Sequence, residues 1–183
     1  MIYHLSLYTA GLLSALVLLA YAGFALFFGA KAQQTLARLP RSQSIGIALL
    51  AIALVWTLWL VATMEMGEFS SLRRPLLIAL PIGFLLAVRF VNEFLAVRAL
   101  GMLCLLVAEP LLEAAFFRDE ISRLLVTTFA YLIIVAGLFW VASPYLLRDK
   151  IAWLSLSPLR WRMTHAVLLF YGLAVLVCTL TFY

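Results

Sequence analysis

Ile45-Gly46-Ile47-Ala48-Leu49-Leu50-Ala51-Ile52-Ala53-Leu54-Val55-Trp56 settles the architecture. A half-buried strand would alternate apolar and polar residues, and this stretch holds no polar side chain until Thr57. Extended through Thr57 to Met64, the run reaches about twenty residues, enough for a helix to cross a hydrocarbon core of ~30 Å. A membrane barrel would instead show segments of roughly ten residues that alternate in polarity. The stretch reads as a buried or lipid-bathed helix.

The same pattern recurs on either side. Hydrophobic residues make up 67% of the 183 residues and charged ones 11%, with a mean hydropathy of +1.14. No core of this size could hide so many apolar side chains, so lipid must solvate part of the surface. In hydrocarbon every backbone polar group needs an internal partner, which leaves helices as the spanning element for runs like these. The reading is an all-α membrane protein, a polytopic bundle of about six transmembrane helices forming one integral domain over 1–183. The spans are read at about 5–28, 44–64, 75–92, 97–117, 124–147 and 163–182. Between the third and fourth, Arg89 to Arg98 contains no Gly or Pro to announce a turn. A single helix from 75 to 117 would be ~60 Å long, twice the bilayer core, so the chain must reverse there.

The N-terminus Met1-Ile-Tyr-His-Leu-Ser carries no basic cluster, so the first run is expected to remain as a span rather than be cleaved. Lys31, Arg38 and Arg41, then Arg89 and Arg98, then Arg148, Lys150, Arg160 and Arg162 fall on one side of the six-span layout. That is nine of the 13 basic residues. Arg73, Arg74, Arg118 and Arg123 fall on the other, offset by Glu65, Glu68, Asp119 and Glu120. Basic loops stay cytoplasmic, so both termini are expected outside a cell membrane, read as a bacterial cytoplasmic membrane. The net charge of +5 follows from this bias and calls for no nucleic acid.

Residues 31–41 and 150–160 resemble each other: a basic start, an apolar stretch, a Pro and an Arg before the next span. Both suit segments lying on the inner leaflet, with Trp153 and Trp161 at headgroup level. Shared loop composition accounts for the likeness. Duplicated helical hairpins, as in many transporters, are the alternative.

Three groups of residues invite a function. Glu109 and Glu113 lie one turn apart on the fourth span, with Pro110 between them. Read near mid-span, Glu109 must be paired, protonated or facing water. It would either carry a proton or cation, or hold a structural partner, while Glu113 lies within reach of Arg74 or Arg118. Arg89, Asn92 and Glu93 form a second polar cluster, in which Arg89 and Glu93 are spaced to pair along one helix. On the first span Gly11, Ala15, Ala22, Ala25 and Gly29 share one face, interrupted by Leu18, and would admit a close neighbour.

The remaining chemistry is sparse. His4 and His165 are read at opposite faces and could not hold one haem. Cys104 and Cys178 lie in apolar runs without a CxxC spacing, and neither a GxSxG nor a Gly-rich phosphate loop occurs. No metal or cofactor is expected. The leading expectation is a non-enzymatic structural or accessory component that associates with itself or with another membrane subunit in the lipid bilayer. A small transporter or channel using Glu109 and Glu113 comes second, and a lipid-modifying enzyme third.

Overall fold

The computed structural model describes Tyr3, residues 5–91, residues 93–116 and residues 120–183. Over these the chain forms eight α-helices: α1 (Leu7–Phe27), α2 (Gly29–Arg38), α3 (Gln43–Thr63), α4 (Arg73–Phe90), α5 (Leu95–Ala115), α6 (Arg123–Ala142), α7 (Tyr145–Ser155) and α8 (Pro158–Phe182). Short 3-10 turns precede α3 and α4. Six segments are long and apolar enough to cross a membrane: α1, α3, α4 with its leading turn, α5, α6 and α8. The protein is a multi-pass integral membrane protein with an all-α bundle.

Local chemistry sets the helix starts. The Ser6 hydroxyl accepts from Thr9 N–H and the Ser42 hydroxyl from Ile45 N–H, so one exposed donor at each of these two N-termini is answered by a cap. Pro158 occupies the first position of α8, where its missing N–H costs nothing. The last span therefore starts five residues before the expected Met163 and takes Arg160 and Arg162 into the helix. The fifth span was expected to run to 147. Instead α6 stops at Ala142, where Ser143 and Pro144 break the ladder, and α7 begins at Tyr145. The reversal between α4 and α5 passes through Phe94 at φ 56°, a left-handed conformation filled without glycine. That choice costs roughly 1–2 kcal/mol. The Arg148 guanidinium lies 5.7 Å from the Phe94 ring centre and ties this turn to α7.

Four helices build the main core. Leu7, Ala10 and Ala15 of α1 meet Leu111, Ala114 and Ala115 of α5, Val126 and Ala130 of α6, and Val175 of α8. A close crossing joins α5 to α6, where a methyl added at Gly101 would lie 2.8 Å from the Gly137 carbonyl oxygen. The reciprocal methyl at Gly137 would lie 2.8 Å from the Gly101 oxygen. Gly46 brings α3 equally close to α5, 2.7 Å from the Ala96 nitrogen by the same measure.

The small-residue face of α1 finds its partner inside the chain. Gly11, Ala15, Ala22 and Ala25 are all buried, and α1 packs chiefly along α8. Gly11 faces the Thr179 hydroxyl and the Tyr183 ring, while Leu18 is received by Gly172 of α8. The interruption in the stripe is therefore matched by a gap on its partner. Gly29 does not belong to the stripe: the chain turns at Phe28, Gly29 starts α2, and nothing lies within 4 Å of a methyl placed there.

The two similar segments become α2 and α7, which lie at the same end of the bundle and touch. Trp161 is not at a headgroup surface; it is 3% exposed, packed with Ala25 and Ala32. Trp153 is exposed, with Arg160 4.7 Å from its ring centre. The helix pairings do not repeat with these segments, since α1 packs on α8 whereas α6 packs chiefly on α5. Position at a common end explains their likeness without duplication.

Candidate functional site

α5 runs unbroken through Pro110 and ends at Ala115. Glu109 is thus six residues from the helix end, about 9 Å by the helical rise. The helix expected over 97–117 is shifted by two residues toward the N-terminus. Glu109 is exposed and Glu113 half-buried, on the same face. Together with Leu112, Phe116 and Ile134 they line a groove of about 700 Å³.

Glu113 is engaged by the chain itself. Its Oε2 accepts the backbone N–H of Tyr3 at 3.1 Å, across 110 residues. The Tyr3 hydroxyl accepts from the Trp56 indole N–H at 2.6 Å, and its ring lies 5.5 Å from that of Trp59. Tyr3 is thereby set against α3 and fastened to α5. Burial, and behind it the charges of Glu109 and Glu113, push the Tyr3 phenol above its usual pKa, while the Trp56 N–H partly offsets the rise. The second oxygen of Glu113 is buried without a partner among the described residues.

The second expected cluster does not assemble around this one. α4 ends at Phe90, so Arg89 closes that helix while Glu93 lies in the turn beyond it, and the two no longer sit on successive turns of one helix. Asn92 lies outside the described residues, as do His4 and the proposed Glu113 partner Arg118. Among the described residues the ion pair formed is Arg148–Asp149, between neighbours on α7. Arg89 belongs to the end of the bundle where α5 begins, and Glu109 to the end where it finishes, so a direct pair between them is not made. Glu113 does not bond Arg74; Arg73 instead donates to the Met64 carbonyl at 2.5 Å and closes the turn ahead of α4.

Sequence reasoning singled out Glu113 but missed Tyr3 and Trp56. Nothing in their spacing relates them to a carboxylate on α5, and the donor is a backbone N–H that any residue would supply. The contact gives a stability test. Glu113→Ala is expected to lower stability by about 1.5–3 kcal/mol, the range for a hydrogen bond to a charged group. Glu109→Gln, at an exposed site with no ion pair among the described residues, is expected to be nearly silent. Thermal unfolding in detergent measures both, and the opposite order would show that Glu109 holds the bundle.

In comparisons with protein families, curated proteins and solved structures, nothing matches this chain.

Proposed function

We propose that the protein is a non-enzymatic subunit of a membrane assembly, and that α4 receives a transmembrane helix of another subunit. The observation that carries this reading is α4 itself. It is part of a spanning segment, yet none of its residues is buried in its own bundle. Ala79, Gly83 and Ala87 stand at successive turns of α4, and a methyl at Gly83 would meet nothing within 4 Å. They line an apolar groove of about 490 Å³ whose other walls include Leu50 and Ala53 of α3 and Met102 of α5. In lipid, rows of small residues bring helix backbones together, because apolar burial alone supplies no driving force there.

Gly83→Leu tests the reading. The added side chain fills the groove without displacing protein, so the bundle should keep its unfolding temperature. Gentle extraction followed by native electrophoresis should show the wild type in a larger assembly and the variant released as the 20.4 kDa chain. A wild type that migrates alone, or a variant that stays assembled, overturns the proposal.

The transport reading has one observation in its favour, the open groove bearing Glu109 and Glu113. The tether from Glu113 to Tyr3 supports a structural role instead. Proton or cation flux in liposomes that is lost in Glu109→Gln, with stability intact, would restore transport as the better account.

The bias of basic residues supports a cytoplasmic position for α2 and α7 and an outside position for both termini, in a bacterial cytoplasmic membrane. Compartment-sensitive reporters placed after Tyr183 and within 155–158 should report opposite sides, the second cytoplasmic. Matching signals would refute this orientation.

A further inference from the structure

The end of the bundle capped by α2 and α7 is hollow. A cavity of about 680 Å³ lies between α1, α5, α6 and α8. That is within the roughly 300–1,000 Å³ of small-molecule sites. Tyr21, Leu100, Trp140 and Leu168 supply apolar wall, and Lys150 and His165 are among its few polar members.

The wall is anchored. The Trp161 indole N–H donates to the Ala25 carbonyl at 2.9 Å, joining the start of α8 to the end of α1. His165 is 1% exposed and stacked 4.2 Å from the Trp161 ring centre. Its Nδ1 lies 2.7 Å from the Trp161 carbonyl oxygen. A carbonyl only accepts, so Nδ1 carries the proton. Lys150, on α7, is exposed and forms no ion pair among the described residues. Met163 and Val167, also on the wall, are 60% and 64% exposed, so the cavity reaches the lipid-facing side of α8.

We propose that this cavity binds one anionic phospholipid, with an acyl chain among Leu100, Trp140 and Leu168 and the phosphate at Lys150. The apolar interior excludes a free phosphate ion, and a bilayer supplies acyl chains through the open side of α8. Charge selects the headgroup. Lys31, Arg38, Arg160 and Arg162 stand on the same end as Lys150, while Arg148 is paired with Asp149, and each basic side chain near a membrane surface attracts anionic lipid by about 1 kcal/mol.

The test uses delipidated full-length protein in detergent, titrated with phosphatidylglycerol or with phosphatidylcholine of identical acyl chains. Native mass spectrometry reads the adducts. The wild type should take up one phosphatidylglycerol at about tenfold lower concentration than phosphatidylcholine. Lys150→Gln should cut that preference about fivefold, the equivalent of the single charge. Leu100→Trp and Leu168→Trp, which fill the cavity from two different helices, should suppress the adduct of either lipid. Thermal unfolding identifies which filling variants remain folded, and Lys150→Gln, at an exposed position, keeps the test decisive if neither does. No stoichiometric adduct, equal uptake of both lipids, an unchanged preference in Lys150→Gln, or wild-type binding by a folded filling variant would each overturn the proposal.

Discussion

Gly101→Leu is expected to leave no folded bundle in detergent. The first added carbon would stand 2.8 Å from the Gly137 carbonyl oxygen, 2.9 Å from Val141 Cγ2 and 3.1 Å from the Val141 nitrogen. Two of those atoms are backbone and cannot rotate away. Ordinary overpacking of a core costs about 1–3 kcal/mol, because side chains shift to absorb it. Here α5 and α6 must separate as rigid bodies, and α5 is also the helix on which α3 packs. The loss should therefore exceed about 4 kcal/mol, the exceptional range for a single substitution. Gly23→Leu is the control, since nothing lies within 4 Å of a methyl at that site on α1. Circular dichroism on heating, together with size-exclusion profiles, compares the two. A Gly101→Leu protein that melts like wild type would show that the helices do not touch.

The second large effect is expected at Trp161. Its ring is almost fully buried among Ala25, Ala32, Leu36 and Leu154, joining α1, α2, α7 and α8. Its N–H reaches the Ala25 carbonyl in the last turn of α1, where carbonyls run out of helical donors. Trp161→Ala should cost about 3–5 kcal/mol through the cavity it leaves. Trp161→Phe keeps most of the volume but strands the carbonyl, so about 1–3 kcal/mol is expected. Unfolding temperatures should fall in the order wild type, Phe, Ala. A Phe variant as stable as wild type would mean the carbonyl loses nothing with its donor.

Much of this architecture is legible in the sequence because lipid simplifies the problem. Apolar runs near twenty residues give six spans, and their ends fall within a few residues except where proline intervenes. Ser143-Pro144 is visible as a break, but the apolar residues on both sides mask it in a hydropathy reading. Pro158 has the opposite effect, opening α8 in a stretch whose Arg160 and Arg162 resemble a loop. The turn at Phe94 is illegible, since its positive φ is held by surrounding structure and not announced by glycine.

Packing was partly readable. Gly11, Ala15, Ala22 and Ala25 mark a contact face on α1, although α8 as its partner does not follow from spacing. The Gly101–Gly137 crossing went unread because each glycine is isolated within its own span, and only the fold sets them opposite one another. Of the candidate polar residues, Glu109 and Glu113 stay together because one helix carries them. Arg89 and Glu93 part because their helix ends between them.

The pairing of α1 with α8 has a consequence for biogenesis. α8 begins about 130 residues after α1 ends. At synthesis rates of about 5–20 residues per second, the face bearing Gly11, Ala15 and Ala22 waits roughly 7–26 s for its neighbour. Throughout that interval the α1 face has no α8 to pack against. A chain interrupted before Pro158 keeps the α1 face bare permanently. A stop codon there would remove one helix and leave another without its seat.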